Sequence, residues 1–381
     1  MQMRLFDTRA GAVRDFRAGH TVRLYVCGIT PYDSAHLGHA FTYVVFDVLT
    51  RYLTAAGHRV ISVRNVTDVD DDILRKAREV GEDYLELGRR EVERFDRDLA
   101  RIGVLPPDAV PLATQTIPAM VIAIRTLVAS GQAYALDDGR VYFDTGASGR
   151  FGELSGLDRT VMLAEFAEKG GDPQAPGKRD ALDFLLWQPS AADEPSWDSD
   201  WGPGRPGWHI ECSVMAAEEL GSVIDIHGGG RDLIFPHHSA EILQAEGVSE
   251  QSPFARFWMH TGMVGLDGTK MSKSLGNLVF VEDLLERFES GALRLYLMDH
   301  HYRTDWLFRD DEMAESAVRF KAWQDAAGGG ERSADIDERF HAALCNDLDA
   351  PEALRVLDEA AQNGAGRSLR ELAGLLGFDL A

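Results

Sequence analysis

Two groups of basic side chains, far apart in the chain, could act on phosphate groups. They are His36-Leu37-Gly38-His39 and, much later, Lys270-Met271-Ser272-Lys273-Ser274. When a carboxylate attacks the α-phosphate of ATP, negative charge builds up on the phosphoryl oxygens and on the leaving pyrophosphate. Two imidazoles and two ammonium groups can stabilise that charge. The motifs therefore predict ATP-dependent activation of a carboxylate, with catalytic roles for His36, His39, Lys270 and Lys273.

Each motif taken alone has an ordinary structural alternative. The histidine motif is short and would also suit a loop that caps a helix, and the lysine motif would also suit a surface turn. Gly268 and Gly276 flank the lysine motif and predict a mobile loop. We favour the catalytic interpretation because the two motifs occur together and in this order.

A second set of residue types is suited to a metal ion. Cys27 ends a predicted strand, Cys212 follows a Trp-His-Ile-Glu run, and His237 and Glu241 are four residues apart. A spacing of four places two side chains on one face of a helix. Two thiolates, one imidazole and one carboxylate form a plausible tetrahedral zinc set. His238 competes with His237 as a ligand, and both cysteines could instead be small buried apolar residues.

The elements that must position these groups can be inferred from hydrophobic patterning. Residues 21–28, 60–65 and 223–225 are short, β-branched and apolar, as buried parallel strands are, and residues 40–56 have a helical pattern. This arrangement predicts a βαβ unit. The histidine motif would then lie between the first strand and its helix, where a helix N-terminus favours anionic phosphate. The glycine-rich residues 228–230 are interpreted as a turn before the helix of His237.

The rest of the chain predicts an interrupted catalytic domain and a helical C-terminal domain. Residues 72 to about 124 are helical by pattern, and residues 134–201 contain a strand at 141–143 among Gly- and Pro-rich stretches. The sheet should resume near residue 207. We predict an α/β class with a doubly wound, Rossmann-type parallel sheet in residues 1–281. An inserted region should occupy about 126–200, and helices should fill 282–381.

Composition limits the function classes. The 381 residues include 39 Lys and Arg against 62 Asp and Glu, a net charge of −23 that disfavours a nucleic-acid backbone as partner. We find no signal-peptide pattern and no apolar run long enough for a membrane span, and three cysteines make no disulfide framework. We expect a monomeric cytoplasmic protein with no membrane partner.

Several segments resemble the cysteine-activating class I synthetases. They are Cys27-Gly-Ile-Thr-Pro-Tyr-Asp33, Asn65-Val-Thr-Asp-Val-Asp70, Gly204-Arg-Pro-Gly-Trp-His-Ile-Glu-Cys212 and the two basic motifs. Two families share this framework: the cysteinyl-tRNA synthetases, and the mycothiol-pathway ligases that join cysteine to glucosaminyl-inositol. The resemblance implies a class I synthetase-type catalytic domain with a connecting insertion.

Three features favour the ligase family over the tRNA enzymes. Residues 29–33 and 162–178 are similar to ligase segments, and the region after the lysine motif is short for an anticodon-reading domain. Residues 282–381 carry 11 basic and 22 acidic side chains, a poor surface for RNA. Other features point away: Ser239-Ala240-Glu241 departs from the ligase pattern, Leu275 is similar to the tRNA enzymes, and Arg231 stands where both families usually have serine.

The resemblance implies L-cysteine, ATP and glucosaminyl-inositol as substrates, Mg²⁺ with ATP, and one Zn²⁺ per chain that binds the substrate thiolate. The zinc ligands would be Cys27, Cys212 and His237, with Glu241 as fourth. The implied contacts to the cysteinyl-adenylate are Cys27, Gly28, Ile29, Thr30, Thr42, Asn65, Val66, Thr67, Trp208, Gly230, Arg231, Asp232 and Val264. A compact cysteinyl-tRNA synthetase and a non-catalytic nucleotide- or amino-acid-binding paralogue are the alternatives.

Overall fold

The computed structural model describes residues 2–32, 34–266, 268–271 and 277–380, without the side chains of Thr269 and Lys270. Lys273 and Leu275 lie outside this description. The strands are β1 (Arg4–Asp7), β2 (Ala12–Asp15), β3 (Thr21–Ile29), β4 (Arg59–Val66), β5 (Ala133–Ala135), β6 (Val141–Phe143), β7 (Phe184–Pro189), β8 (Gly204–Pro206), β9 (Ile224–Gly230), β10 (Ala255–Thr261), β11 (Val264–Leu266), β12 (Thr269–Lys270) and β13 (Trp306–Leu307).

Helices connect these strands and fill the C-terminal region. They are α1 (Leu37–Ala55), α2 (Asp71–Val80), α3 (Tyr84–Arg101), α4 (Ala113–Ala129), α5 (Thr145–Ser148), α6 (Arg159–Glu168), α7 (Trp208–Leu220), α8 (Ser239–Ser249), α9 (Val281–Leu285), α10 (Ser290–Met298), α11 (Asp310–Ala327), α12 (Ala334–Cys345), α13 (Ala350–Gln362) and α14 (Gly366–Leu375). Two short turns, Arg231–Leu233 and Ile234–His238, join β9 to α8. In the described chain, no helix has both the length and the apolar composition needed to cross a bilayer.

The centre of the fold is a four-stranded sheet in the order β10-β9-β3-β4. All three strand pairs are parallel, with Tyr25 opposite Val63 and Leu24 opposite Ile226. Helix α1 connects β3 to β4, so the predicted βαβ unit is confirmed. Parallel strands have their carboxyl ends at one edge, and loops from this edge form the ligand crevice in such folds.

Alternate residues of β3 belong to different hydrophobic cores, as the two-residue repeat of a strand requires. Leu24 and Val26 pack with α1 and the C-terminal helices in one core. Tyr25 and Cys27 pack with α4, α7, α8 and the inserted region in the other. The central sheet is therefore covered on both faces, which explains why its strands read as continuous apolar runs.

The inserted region forms a small antiparallel sheet in the order β5-β6-β7-β8, together with α5 and α6. Strand β8 pairs with β7, with Trp187 opposite Pro206. The parallel sheet consequently resumes at Ile224, later than the sequence predicted, because residues 204–206 complete the small sheet and α7 intervenes. The domain limits at 126, 200 and 281 stay predictions.

The C-terminal helices pack against α1 through a buried ion pair. Arg294 on α10 donates to Asp47 on α1, and both side chains are 1% exposed. The same guanidinium donates to the carbonyls of Ile102 at 3.0 Å and Leu376 at 2.7 Å. The mainly helical prediction for this region is confirmed, apart from the short strand β13, which joins β11.

Candidate active site and metal cluster

The histidine motif and the segment that follows the lysine motif lie side by side after the end of β3. His36 caps α1: its Nδ1 accepts a hydrogen bond from the backbone N–H of His39 at 3.3 Å, and the two imidazoles stack at 3.7 Å. The segment that follows the lysine motif runs antiparallel to this loop, with Phe280 opposite His36 and the Leu37 N–H donating to Val279 O at 2.8 Å. The histidine motif is thus both a helix cap and a neighbour of residues 279–280, which follow the lysine motif.

The start of the lysine motif is held by the sheet of β11, β12 and β13. Lys270 pairs through its backbone with Gly265, and the Met271 N–H donates to the carbonyl of Val264 at 3.2 Å. The motif therefore begins beside Val264 and its following segment ends beside His36. Lys273 itself lies outside the described residues.

The predicted metal ligands converge from four elements. Cys27 lies near the end of β3, Cys212 on α7, His237 in the turn Ile234–His238, and Glu241 on the first turn of α8. Their side chains are at most 5% exposed, and one ligand atom of each lies within 4.8 Å of all the others. Glu241 Oε1 is 3.2 Å from His237 Nε2 and 3.5 Å from Cys27 Sγ.

These distances and donor types suit a tetrahedral metal ion. Ligands bound at about 2.0–2.3 Å around a tetrahedral centre lie about 3.3–3.8 Å apart. Burial raises the pKa of Glu241 well above its ordinary value, because an ionised carboxylate removed from water is unstable unless a cation lies beside it. Burial also raises the pKa of the Cys27 thiol. A bound cation would stabilise the ionised forms of both side chains, so the residues fit a metal site.

A second set of ligand atoms overlaps the first. Cys27, His227, His238 and Glu241 also bring four atoms within 4.8 Å. His238 Nε2 lies 3.3 Å from Cys27 Sγ, and His227 Nε2 lies 2.9 Å from Glu241 Oε2. The competition between His237 and His238 that the sequence left open is therefore a real feature of the geometry.

Further histidines hold the candidate ligands. His209 Nδ1 contacts His237 Nδ1 at 2.9 Å, and His260 Nε2 contacts His238 Nδ1 at 2.8 Å. Burial lowers the pKa of His209, His227 and His260 to about 3, so these rings are neutral at physiological pH. Neutral imidazoles can orient ligands through one ring nitrogen while the other stays available. His227 and His260 were not predicted from the sequence, where their only signal is their position near the ends of apolar runs.

The residues predicted to contact an adenylate line the same edge of the sheet. The Gly28 N–H donates to Asn65 Oδ1 at 2.7 Å, and Asn65 Nδ2 donates to Thr67 Oγ1 at 3.3 Å. A Cβ on Gly28 would lie 1.6 Å from the Asn65 carbonyl oxygen, so only glycine fits between these strands. Ile29 pairs with Val66.

Other predicted contact residues are fixed by side-chain contacts. Thr30 Oγ1 donates to Asp70 Oδ2 at 3.2 Å, and Thr42 and Thr261 share a hydrogen bond of 2.8 Å. The Trp208 ring stacks on His237 at 4.2 Å.

Two of the predicted nucleotide contacts are joined through Asp305. Arg231 Nη1 donates to Asp305 Oδ2 at 2.9 Å, and the Met263 N–H donates to Asp305 Oδ1 at 2.7 Å. The segment from Gly230 to Asp232 is thereby linked to Val264, the residue after Met263. This contact gives a structural role to Arg231, the residue that departs from the serine of the resembling families.

Residues 228–230 form the end of β9 and not the predicted turn. A Cβ on Gly228 would lie 2.2 Å from the Phe46 ring, and one on Gly229 would lie 3.1 Å from the His238 ring. The glycines serve close packing of α1 and of the histidine cluster against the strand.

Comparison with known proteins decides the family. Residues 15–318 match the family model described as the tRNA synthetases class I (C) catalytic domain. The chain is similar to the L-cysteine:1D-myo-inositol 2-amino-2-deoxy-alpha-D-glucopyranoside ligase of Thermomonospora curvata, with 46% identity over 96% of this chain and 90% of the relative. The ligase of the same name from Gordonia bronchialis is 48% identical, over 93% and 88%.

The chain belongs to this ligase family, within the class I synthetases. A member of this family is an ATP-dependent ligase, so the predicted enzyme class and the predicted resemblance are confirmed.

Solved structures support the fold of this ligase-family chain. A Mycobacterium tuberculosis methionyl-tRNA synthetase in complex with methionyl-adenylate superposes with a TM-score of 0.65 at 15% identity, over 93% of this chain and 89% of that one. A LeuRS–tRNA–LeuAMS complex from Agrobacterium radiobacter gives 0.64 at 11%, over 93% and 83%. The predicted class I synthetase fold is confirmed.

Proposed function

We propose that the chain uses ATP to join L-cysteine to the amine of glucosaminyl-inositol. The observation that carries this proposal is identity of 45–48% to ligases of that name over nearly the whole chain. The buried set of two cysteines, one histidine and one glutamate supports it independently, because thiolate and imidazole ligands suit an ion that recognises a thiol. We also propose that the protein acts as a cytoplasmic monomer without tRNA.

The proposed reaction has two steps. In the first, a carboxylate oxygen of cysteine bonds to the α-phosphorus of ATP, the bond to the β-phosphate oxygen breaks, and pyrophosphate leaves. In the second, the amine nitrogen bonds to the carbonyl carbon, the bond to the phosphate oxygen breaks, AMP leaves, and the amine loses a proton. We assign phosphate stabilisation to His36, His39, Lys270 and Lys273, and Mg²⁺ would accompany the phosphates of ATP.

We propose Cys27, Cys212, His237 and Glu241 as the zinc ligands. When bound, the ion would supply a Lewis acid that takes a thiol as thiolate and so distinguishes cysteine from serine. His237 is favoured over His238 because its Nε2 is closer to Glu241 Oε1, at 3.2 Å against 3.8 Å. His227 and His238 would then orient Glu241 and Cys27 from behind.

The α-amino group of the substrate is assigned to Glu211, beside Thr67. Glu211 is 1% exposed and contacts the Thr67 side chain, and its Oε2 has no hydrogen-bond partner among the described residues. A buried carboxylate oxygen without a partner supports recognition of a cationic or hydrogen-bond-donating ligand. Trp208, stacked on His237, would offer the substrate an apolar contact near the metal ligands.

The test is AMP formation by purified protein with ATP and cysteine, run in parallel with glucosaminyl-inositol and with bulk tRNA. We expect the aminosugar alone to stimulate AMP formation, and serine to fail in place of cysteine. Stimulation by tRNA alone, with cysteinyl-tRNA recovered, would replace the ligase assignment by a compact cysteinyl-tRNA synthetase. Absence of pyrophosphate release with either acceptor would favour a non-catalytic paralogue.

A further inference from the structure

Lys169 reaches from the inserted region to the turn that precedes His237. It directly follows α6, and its Nζ donates to the carbonyl oxygens of Asp232 at 2.9 Å and Phe235 at 2.6 Å. The same ammonium donates to Glu165 Oε2, on the previous turn of α6, at 2.9 Å. An ammonium has three N–H donors, so these acceptors use all of them. Every N–H of the Lys169 ammonium therefore has a protein acceptor, whereas a solvated surface lysine donates to water.

The turn that receives Lys169 carries proposed contacts at both ends. Asp232 is among the residues that the family resemblance implies contact the adenylate, and Phe235 lies two residues before His237. Phe235 has extended backbone angles, φ −137° and ψ 136°, inside an otherwise helical turn. The regular hydrogen-bond pattern is interrupted there, and a buried carbonyl outside that pattern needs a donor from elsewhere. Lys169 supplies a donor to each end of the irregular segment.

Apolar packing fixes the other end of the contact. Phe166 on α6 is 2% exposed, and a Cβ on Gly171 would lie 2.5 Å from its ring. The Phe151 ring of the inserted region lies 4.9 Å from the Phe235 ring. The inserted region and the turn are thus packed together where Lys169 crosses between them. Phe166, Lys169 and Gly171 fall in the ligase-like stretch 162–178, to which the proposed function gives no role.

We propose that Lys169 is a positioning residue for ATP, through which the inserted region holds the Asp232–Phe235 turn in its binding conformation. The inference rests on the proposed function, because Asp232 contacts the nucleotide only if the chain forms the adenylate that the family resemblance implies. Lys169 does not touch the reacting atoms, and its effect is transmitted through the two carbonyls.

Lys178 offers a matched control within the same inserted region. Its Nζ also donates to two backbone carbonyls, those of Asp172 at 2.7 Å and Ala181 at 2.9 Å, but both lie inside the insertion. Replacing either lysine by methionine removes an ammonium and its two hydrogen bonds to backbone carbonyls while keeping most of the length of the side chain. Only the Lys169 variant breaks the link to the turn.

The first measurement is cysteine-dependent ATP–pyrophosphate exchange. Lys169→Met should raise the KM for ATP about tenfold, with the KM for cysteine and kcat changed less than about threefold, since two charged hydrogen bonds to the ATP-side turn are lost. Lys169→Arg retains charged donors and should return the KM for ATP to within about threefold of the natural protein. Lys178→Met should leave the KM for ATP unchanged.

The second measurement is amide hydrogen exchange, which does not depend on activity. Lys169→Met should speed exchange in residues 231–238, and Lys178→Met should do so only within 172–183. If Lys169→Met fails to fold, Glu165→Ala removes one partner of the ammonium and should give a smaller rise in the same KM.

Three results would overturn the inference: unchanged KM for ATP together with unchanged exchange in 231–238, a defect confined to cysteine, or an equal rise in Lys178→Met. Failure of cysteine activation, the first step of the proposed function, would look different, because the natural protein would then show no cysteine-dependent exchange, and failure at the acceptor step would leave that exchange intact. In that case the amide measurement still decides whether Lys169 orders the turn.

Discussion

The three cysteines have different surroundings, and this difference provides a test of the metal assignment. Cys27 and Cys212 face the cluster with His237 and Glu241, whereas Cys345 lies elsewhere, 3.3 Å from the Tyr52 hydroxyl. All three are buried. Burial alone therefore cannot separate a metal ligand from a packing residue, but substitution can.

Cys212→Ala should abolish cysteine-dependent ATP–pyrophosphate exchange and lower the zinc bound per chain, because a structural thiolate ligand is lost. The measurements are exchange kinetics and metal analysis of the purified variant. Cys345→Ala is the control and should keep both properties. Normal exchange by Cys212→Ala at the natural KM for cysteine would refute the assignment.

Asp70 gives a pH-dependent prediction at the same scale. It caps α2 by accepting from the Asp72 N–H, and burial, followed by the charge of Asp72, raises its pKa from 3.8 to about 6. The pKa of Asp70 is higher in the folded protein than in the unfolded chain. The free energy of unfolding therefore falls as the pH rises from about 4 to about 6, and this loss of stability is constant at higher pH.

Asp70→Asn keeps a good helix cap and removes this charge. The variant should gain stability relative to the natural protein, by under about 1 kcal/mol at pH 4 and by about 3 kcal/mol above pH 7. Urea unfolding of both proteins from pH 4 to 7.5 measures the gap. A gap that does not change with pH would show that Asp70 titrates normally.

Single residues were predictable where local spacing carried the signal. The interval of four between His237 and Glu241 placed both on one side of a helical turn, and the structure puts their ligand atoms 3.2 Å apart. His227 and His260 gave no such signal. They reach the cluster from β9 and β10, and their proximity depends on strand order, which a single sequence does not reveal.

At the scale of elements, the fit of α1 against β9 depends on the absence of a side chain at Gly228. The ring of Phe46, on α1, occupies the space that a Cβ would need, at 2.2–2.9 Å. Helix α1 begins directly after His36, so its position also sets the histidine motif.

Gly228→Ala should destabilise the protein by about 1–3 kcal/mol, as overpacking of a core does, and should lower kcat for activation because α1 must shift. Gly374→Ala is the control: Gly374 is exposed on α14 with open space around its Cβ position, and alanine there should add up to about 1 kcal/mol. Thermal unfolding and exchange kinetics measure both. An unaltered Tm in Gly228→Ala would contradict the packing argument.

Gly228, Gly229 and Gly230 explain an error in the predicted secondary structure. Buried strands 21–28 and 60–65 were recognisable because they are β-branched and bounded by turn residues. The run 228–230 suggested a turn because glycine is common in turns. In the structure these glycines extend strand β9. Glycine is needed there because α1 and the histidine rings approach the strand closely, and this tertiary packing is not visible in the local sequence.

For the whole molecule, the link between α1 and the C-terminal helices rests on a buried charge pair. Asp47 accepts from Arg294 and also from Arg51 and the Leu105 N–H. Asp47→Asn should destabilise the protein by about 3–5 kcal/mol, because it leaves the Arg294 guanidinium buried without a full counter-charge.

Asp310→Asn is the matched control, since both side chains of its pair with Arg287 are more than half exposed and the pair should contribute little to stability. Chemical denaturation of both variants measures the difference. Equal effects would show that the buried pair is not what joins these parts of the molecule.

The helical nature of residues 281–380 was predictable from periodicity, but their position was not. Their apolar faces pack on α1 in a core that they share with β3. Nothing in the helical pattern of the C-terminal region identifies its packing partner, because the complementary surface is formed by residues near the start of the chain. The strand order of the inserted sheet could not be predicted from the sequence for the same reason.

The N-terminal hairpin of β1 and β2 bears on how the chain folds during synthesis. The Phe6 N–H donates to Asp347 Oδ1 across 341 residues, and the Asp347 N–H donates back to Arg4 O. The Thr8 N–H donates to Trp258 O, also far along the chain. A two-stranded hairpin alone is marginal in water. The hairpin therefore cannot complete its packing until residues around 347 have been synthesised, and a stalled nascent chain would present it to chaperones and proteases.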